Sequence, residues 1–390
     1  NQANKSDSIM SQSEGFYDPV LEGRVCPRDW ENPEPSKVYN LVVIGAGTAG
    51  LVTAAVAAGL GASVALIERE KMGGDCLNVG CVPSKAIVAA ARNFAQVQKS
   101  KRFGVKVSDD SSINFSKVME RMRRLRSDIS VDDSAERFKS LGVDLFFGHA
   151  HFVDGKRISV GDKILRFKKA VIATGARASA PIIPGLEEVD YLTNENLFSM
   201  TELPKKLGIV GGGPIGAEMA QTFARFGSGV TLFEKSSHIL NREEKDAALI
   251  VQKSLVNDGV DVRLSVNNLK FNADNKQVKF FHSSGGEPEE GIIDKLLIAA
   301  GRAPNVDGIG LENAWVEYDL KNGIAVNDKL QTSNKNIYAA GDVCSRYKFT
   351  HSADFMARTV IANALFFGRS RLSNLIIPWA TYTDPELAHV

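Results

Sequence analysis

Two cysteines, Cys76 and Cys81, lie five residues apart in the glycine-rich run GGDCLNVGCVPSK. Cysteines at this spacing can close a disulfide across one turn of the chain. Pro83 is typical of the first turn of a helix, so Cys81 is predicted just before a helix N-terminus. The partial positive charge at that position stabilises a thiolate and lowers its pKa. The pattern therefore predicts a redox-active pair in which Cys81 ionises readily.

Two other uses of such a pair are open. Structural zinc takes cysteines at shorter spacing together with a second pair of ligands, which this sequence does not offer. An inert structural disulfide is the second alternative, although the flanking glycines and Lys85 suit a cofactor site better. The other two cysteines, Cys26 and Cys344, have no evident partner. We predict no metal site.

A dinucleotide-binding pattern occurs twice in the chain. Residues 42–68 read VVIGAGTAGLVTAAVAAGLGASVALIE, and residues 208–234 read GIVGGGPIGAEMAQTFARFGSGVTLFE. Both predict a strand, a G-x-G-x-x-G turn, a helix, a second strand and an acid. The first glycine precedes the acid by 23 residues in both copies. Two complete patterns at equal spacing predict two nucleotide sites.

Each part of the pattern has a physical role. The first glycine permits a tight turn, and the second lets the backbone approach a pyrophosphate at the helix N-terminus. The third lets helix and strand pack closely, and the acid accepts hydrogen bonds from a ribose. The predicted residues are Gly45, Gly47, Gly50 and Glu68 in the first copy, and Gly211, Gly213, Gly216 and Glu234 in the second.

The second pattern lies between two apolar strands that end in glycine turns, residues 170–175 and 296–302. This order predicts an α/β fold of two Rossmann-like domains, one inserted into the other. A further strand, residues 337–342, ends in a turn with an acid at its tip. We expect the first 36 residues, polar and with four prolines, to form a loosely ordered arm. A charge-rich helix is predicted within residues 114–142, with its arginines on a solvated face.

Composition limits the partners and the location. A net charge of +1 gives no reason to expect nucleic acid or an anionic membrane surface. The uncharged stretch 41–67 is long enough to cross a bilayer. Its residue types change along its length, however, and this order predicts a strand, a helix and a second strand instead. Four cysteines are too few for a secreted disulfide framework at this length. We therefore predict a cytoplasmic protein.

The run GGDCLNVGCVPSK, together with both nucleotide patterns, resembles the class I pyridine nucleotide–disulfide oxidoreductases, and the resemblance extends from Tyr39 to Val390. It implies an enzyme that carries FAD and uses a nicotinamide coenzyme. The implied domains are a polar arm (1–36), an FAD-binding domain in two parts (37–180 and 304–375), an inserted NAD(P)-binding domain (181–303) and the start of an interface domain (376–390). Family members form homodimers through that interface domain, so we expect a homodimer for the full-length protein.

The resemblance also implies roles for individual residues. Cys81 would be the thiolate next to the flavin, and Cys76 would exchange with substrate. Lys85 and Glu218 would pair beside the flavin N5. The FAD side is implied for Gly45, Gly47, Gly50, Glu68, Gly74, Lys85, Ala150, Thr174, Gly175, Asp342, Thr350 and His351. The coenzyme side is implied for Gly211, Gly213, Ile215, Gly216, Glu234 and Gly301.

Coenzyme and substrate are predicted less directly. Glu234 would repel the 2′-phosphate of NADPH, which favours NAD(H), although the mercuric-reductase branch of the family typically uses NADPH. The segments FTHSAD and PW, at residues 349–354 and 378–379, resemble that branch, whose substrates are thiols, disulfides or Hg(II). Dihydrolipoyl dehydrogenase is the alternative. A non-catalytic flavoprotein binding module is a remoter one, and the intact cysteine motif argues against it.

Overall fold

Two sheets form the centre of the molecule, one mixed and one wholly parallel, and each contains the two strands of one glycine pattern. A computed structural model describes residues 17–35, 38–108, 110–284 and 286–390. The helices are α1 Tyr17–Val25, α2 Thr48–Gly59, α3 Gly74–Asn78, α4 Cys81–Lys99, α5 Phe115–Ile129, α6 Ala135–Ser140, α7 Asn194–Leu197, α8 Pro214–Phe226, α9 Lys245–Asn257 and α10 Thr350–Leu365.

The strands of the first half are short except for one. They are β1 Val38–Ile44, β2 Val64–Glu68, β3 Asp144–Phe147, β4 Ala150–Asp154, β5 Arg157–Val160, β6 Lys163–Ile172, β7 Ala176–Ala178 and β8 Tyr191–Leu192. The remaining strands are β9 Lys206–Val210, β10 Gly229–Phe233, β11 Asp261–Arg263, β12 Asn267–Asp274, β13 Gln277–Ser284, β14 Glu287–Ile293, β15 Lys295–Ile298, β16 Arg302–Pro304, β17 Tyr318–Asp319, β18 Gly323–Ile324, β19 Ile337–Ala339, β20 Trp379–Thr381 and β21 Leu387–His389.

The first sheet has the order β3-β2-β1-β6-β5-β4, and β19 pairs with β6. Strands β3, β2, β1, β6 and β19 run parallel. The core of β1, residues 41–44, is buried on both faces, as expected for a central parallel strand. The uncharged stretch 41–67 is thus β1, α2 and β2, which confirms its prediction. In the described part of the chain no helix is long and apolar enough to cross a membrane.

The second sheet has the order β11-β10-β9-β15-β8 and is parallel throughout. All its strands fall between β6 and β19, which pair with each other in the first sheet. One Rossmann-like unit is therefore inserted into the other, as the sequence predicted. The connecting strands β7 and β16 pair antiparallel, with Ala176 opposite Pro304. We propose that this ribbon marks the boundaries of the inserted domain, close to the predicted limits 180 and 303.

The expectation of a loosely ordered N-terminal arm is wrong for residues 17–35, which we call the N-terminal strap; residues 1–16 and 36 lie outside the described residues. Leu21 and Val25 of α1 are buried in the core of the first unit. Further along, the side chain of Asn32 exchanges two 2.8 Å hydrogen bonds with the backbone of Phe147 on edge strand β3.

The prediction of a solvated arginine face on α5 needs a related correction. Arg121 and Arg124 are exposed, but the side chains of Arg123 and Arg126 are only 10% and 12% exposed. Both pair with Asp18 of α1, at 3.3 and 2.7 Å. The sequence could not show this, because the partner carboxylate lies more than a hundred residues away on a segment with few apolar residues.

Candidate functional site

A cavity of roughly 1810 Å³ brings most of the predicted site residues together. Its lining includes both cysteines of the pair, part of the first glycine pattern and the first turns of α8, the helix of the second glycine pattern. The predicted residues on its wall are Gly45, Gly47, Glu68, Gly74, Cys76, Cys81, Lys85, Ala150, Thr174, Gly175, Ile215, Glu218, Asp342, Thr350 and His351. The cavity lining does not include Gly50, Gly211, Gly213, Gly216, Glu234 or Gly301.

The first glycine loop has the shape that a dinucleotide pyrophosphate requires. Gly45 has φ +99°, and a Cβ there would lie 2.4 Å from the carbonyl oxygen of Ala173. A Cβ on Gly50 would lie 1.7 Å from the carbonyl oxygen of Gly45, so only glycine lets α2 pack this closely. A Cβ on Gly47 would meet just one described atom within 4 Å, the Gly74 Cα at 3.8 Å. Gly47 therefore faces the open cradle, and the residues present fit FAD.

The second loop repeats this geometry. Gly211 has φ +106° and a Cβ there would lie 2.6 Å from the carbonyl oxygen of Ala299. A Cβ on Gly216 would lie 1.8 Å from the carbonyl oxygen of Gly211. A Cβ on Gly213 would meet no described atom within 4 Å. The second glycine of the pattern again has free space beside it, so this loop fits the pyrophosphate of a nicotinamide coenzyme in the same way.

The two acids occupy equivalent places at the strand ends. Glu68 accepts hydrogen bonds from the backbone N–H groups of Ala46 and Glu70, at 2.7 and 2.8 Å. Glu234 accepts them from Gly212 and Ser236, at 2.6 and 2.7 Å. Burial raises the pKa of Glu68, and its backbone hydrogen bonds oppose that effect. Each carboxylate is thus held directly beside its glycine loop.

Helices α3 and α4 carry the two cysteines. Cys76 lies within α3, and Cys81 is the first residue of α4. Each of the four cysteines, all in the described part of the chain, has a free thiol. The Sγ atom of Cys81 lies 3.5 Å from the Oγ1 atom of Thr350, the first residue of α10. The reactive sulfur therefore lies at the N-termini of two helices.

The two thiols differ in acidity. A hydrogen bond from Cys76 lowers the pKa of Cys81 to about 6; burial opposes this shift, whereas Thr350 and Lys85 reinforce it. The same hydrogen bond strongly raises the pKa of Cys76, and burial adds to the effect. In the reduced pair, Cys81 is therefore the thiolate and Cys76 the thiol.

An ion pair joins the helix of the cysteine motif to the helix of the second glycine loop. The Nζ atom of Lys85 on α4 lies 2.9 Å from the Oε2 atom of Glu218 on α8, and the Glu218 side chain is 5% exposed. The other carboxylate oxygen accepts a 3.0 Å hydrogen bond from the backbone N–H of Tyr382. Lys85 also lies 4.7 Å from the centre of the Tyr382 ring. The predicted ion pair is present, and Tyr382 contacts both of its members.

Arg302 is a site residue that the sequence analysis did not identify. It donates to the carboxylate of Asp75 and, at 2.6 Å, to the carbonyl oxygen of Ala176. Its Nε atom lies 3.8 Å from a carboxylate oxygen of Asp342. Burial raises the pKa of Asp342, and Arg302 opposes that rise. The one available signal was its position directly after the strand and glycine turn at 296–301.

Aromatic residues form another part of the wall. Phe349 stacks on Trp379 with ring centres 6.1 Å apart, and both line the cavity. The indole of Trp379 donates a 2.6 Å hydrogen bond to Glu243, which also contacts His389 at 3.0 Å. The two segments that the sequence marked only as resembling one branch of the family are therefore in contact with each other. The described residues contain no cluster of three or more metal-ligating side chains.

Residues 39–357 match the family model described as pyridine nucleotide-disulphide oxidoreductase. The chain belongs to this family. The match covers most of the chain, so the resemblance and the fold class inferred from the sequence are confirmed. The family is one of flavin-dependent enzymes that use a nicotinamide coenzyme.

Relatives within the family differ in substrate. Over 352 residues the chain is 33% identical to a mercuric reductase of Staphylococcus aureus, covering 90% of this chain and 64% of the relative. It is 35% identical over 355 residues to a dihydrolipoyl dehydrogenase of the same organism, covering 90% of this chain and 75% of the relative. The chain spans less than two thirds of the length of the mercuric reductases that it matches, including 60% for that of Bacillus cereus.

Solved structures show the same fold. The HOCl-induced flavoprotein disulfide reductase RclA from Escherichia coli, as its Cu(II) complex, matches with a TM-score of 0.79 at 30% identity. That match covers 89% of this chain and 76% of RclA. A second structure of RclA from Escherichia coli matches with a TM-score of 0.78 at 29% identity.

Proposed function

We propose that this chain is an FAD-dependent NAD(P)H oxidoreductase with a redox-active disulfide, Cys76–Cys81. One observation carries the proposal: a single cavity contains a glycine loop shaped for a dinucleotide, a cysteine pair of split acidity and the Lys85–Glu218 ion pair. When bound, FAD would take electrons from the nicotinamide and exchange them with the cysteine pair. Family membership supports the same chemistry.

The residues of the chain would divide this work between them. The N–H groups of the first loop would bind the pyrophosphate, and Glu68 the ribose. Lys85, held in place by Glu218, would present a cation beside the isoalloxazine ring. Cys81 would remain a thiolate because of its low pKa, and Cys76 would keep its proton until it meets substrate. Asp342, with Arg302 beside it, would face the ribityl chain.

The experiment is anaerobic reduction of the FAD-reconstituted protein, followed by absorbance. The wild type should gain a long-wavelength charge-transfer band from the Cys81 thiolate against the flavin. Cys81→Ser should abolish the band, whereas Cys76→Ser should show it without reductant; Cys344→Ser is the control and should match the wild type. If Cys81→Ser keeps the band and Cys76→Ser lacks it, the assigned roles are reversed.

For the coenzyme we propose NAD(H) over NADP(H). The carboxylate of Glu234 is fixed by two backbone N–H groups beside the second loop. A ribose bound there would bring a 2′-phosphate close to that carboxylate. The coenzyme preferences of the family members do not decide the matter, so the proposal depends on this carboxylate.

For the substrate we propose a thiol, a disulfide or Hg(II), as in mercuric-reductase-type proteins. The resemblance of residues 349–354 and 378–379 to this branch and the 33% identity to a mercuric reductase support the proposal. The observation that favours dihydrolipoyl dehydrogenase instead is its 35% identity, slightly above that of the mercuric reductase. NADH-dependent Hg(II) reduction and NAD⁺-dependent dihydrolipoamide oxidation, measured on one preparation, separate the two. We also propose a cytoplasmic location, because four cysteines are too few for a secreted disulfide framework at this length, and a homodimer for the full-length protein.

A further inference from the structure

The N-terminal strap forms part of the cavity wall. Several of its residues line the cavity next to Glu68 and the loop 69–71 that follows it. These strap residues include Asp18, Glu22, Gly23, Cys26, Arg28 and Asp29. The family model starts at residue 39, so the strap lies outside the region that it matches.

Helix α1 of the strap is firmly docked. Leu21 and Val25 are 2% and 0% exposed and pack in the same core as Ala46 of the first glycine loop. The carboxylate of Asp18 lies between two largely buried guanidinium groups on α5. Arg24 donates a 2.6 Å hydrogen bond to the carbonyl oxygen of Ser127, near the C-terminal end of α5. Apolar burial and charge pairing therefore fix α1 at two separate points.

Two hydrogen bonds connect the strap to the first glycine loop. The N–H of Met72 donates to the carbonyl oxygen of Val25 at 3.0 Å, and the N–H of the next residue, Gly73, donates to that of Ala46 at 2.8 Å. Lys71 adds an ion pair with Glu22 at 2.9 Å. The strap thus packs against the same short segment that supports the glycine loop.

Cys26, just after α1, shows which end of the cavity the strap covers. Its thiol is half-buried and lines the cavity. Burial raises its pKa; Lys71 opposes the shift, and the carboxylates of Glu22 and Glu68 add to it. Cys26 lines the same cavity as Glu68, the acid that marks the ribose position of a dinucleotide on the first loop.

We propose that the N-terminal strap is the outer wall of the adenosine half of the FAD pocket and slows the release of FAD. This inference rests on the proposed function, because it takes the first glycine loop as the FAD site. The strap brings a helix, anchored in the core, to the end of the cavity where Glu68 lies. Release of the adenosine end then requires that α1 detach from α5 and from the 71–73 segment. Binding strength at this end depends on the docking contacts of α1 as well as on the glycine loop.

The direct test is alkylation of Cys26 by iodoacetamide, followed by peptide mass spectrometry, with and without FAD. Bound FAD should slow labelling of Cys26 by at least about tenfold, because the covered wall loses solvent access. NAD⁺ added to the flavin-free protein is the ligand control and should protect much less. Equal labelling rates in FAD-saturated and flavin-free protein overturn the inference. A protein that takes up no FAD overturns the proposed function, and the inference with it.

A matched pair of variants tests the docking contacts. Asp18→Asn removes the charge between the two buried arginines, while Glu31→Gln makes the same chemical exchange at an exposed strap position away from the cavity. Asp18→Asn should raise the Kd for FAD about tenfold and speed FAD release, measured by flavin fluorescence; Glu31→Gln should leave both unchanged. Tryptic cleavage after Arg24 reports detachment of α1. An unchanged Kd in a variant whose Arg24 has become cleavable contradicts the proposal.

Discussion

At the residue scale, the proposed chemistry depends on the difference in acidity between two cysteines. Cys81 starts a helix and contacts a hydroxyl at the start of another, whereas Cys76 donates its proton toward Cys81. Helix N-termini and hydrogen bonds both favour an anion, so these contacts act in the same direction. Opposite roles for the two cysteines follow from where the backbone places each sulfur.

The acidity of Cys81 gives a testable pH dependence. Its pKa is lowered to about 6, so the charge-transfer band of the reduced protein should be present above that pH and lost as the pH falls through it. Thr350→Val removes a hydrogen bond to the thiolate and should raise the midpoint by about half a unit to one unit. Thr359→Val, a buried position further along α10, is the control and should keep the wild-type midpoint. A midpoint that does not move in Thr350→Val shows that the hydroxyl does not stabilise the thiolate.

At the element scale, the same strand–turn–helix unit is used twice with the same internal contacts. In each copy the third glycine lies against the first, and the acid at the strand end accepts two backbone N–H groups. The contacts of the second glycine differ, because Gly47 of the first copy has Gly74 of α3 packed against it and Gly213 of the second copy meets no described atom within 4 Å. The first loop is therefore joined to the cysteine motif, and the second is free to take a separate ligand.

The acid after β10 provides the test at this scale. Like charges about 4 Å apart repel by about 4 kcal/mol at an effective dielectric constant near 20, before relaxation. Glu234→Ala should therefore raise the efficiency of NADPH relative to NADH about tenfold or more in stopped-flow flavin reduction. Glu202→Ala, an exposed carboxylate without this position, should leave the ratio unchanged. Faster and tighter reduction of the wild type by NADPH than by NADH would falsify the argument.

At the scale of the whole molecule, a largely buried charge cluster joins four segments of the chain. Arg225 of α8 is 5% exposed and lies between Asp258, after α9, and Asp384, in the turn between β20 and β21, at 2.8 and 2.7 Å. Lys99 at the end of α4 reaches the same Asp384 at 3.1 Å. Burial works against the charge on Asp384, but Arg225 and Lys99 hold its pKa below the usual range. Its contribution to stability is therefore present above about pH 4 and is lost as the pH falls through the lowered pKa.

Removal of the central cation should be costly. Arg225→Met leaves Asp258 without a cation and leaves Asp384 with Lys99 alone, so we expect the free energy of unfolding to fall by about 3–5 kcal/mol in urea titrations. Arg358→Met removes an exposed pair within α10, where the arginine side chain is 62% exposed, and should cost less than about 1 kcal/mol. Similar losses in the two variants would show that the cluster does not join the parts of the molecule.

The sequence was sufficient for the architecture and for the reactive pair because both leave local patterns. The paired fingerprints predicted two Rossmann-like units, and the strands on either side of the second one predicted the insertion. Pro83 predicted a helix that begins beside Cys81. Contacts between distant segments left no such pattern. The docking of Asp18 onto α5 and the approach of Tyr382 to Glu218 depend on how the sheets pack, which a local pattern does not specify. The Lys85–Glu218 pair was predicted only through the resemblance.

The ribbon formed by β7 and β16 has a consequence for modularity. Because these strands pair residue by residue, the inserted unit leaves and rejoins the first unit at neighbouring points. Topologically the whole unit is one long surface loop, and the entropy of loop closure grows only slowly with loop length. A chain in which a short glycine linker replaces the unit between Ala178 and Arg302 keeps the same two anchor points. Removal of the inserted unit would thus leave the sheet of the first unit uncut, and it would expose the faces of α4 and α5 that now pack against α8.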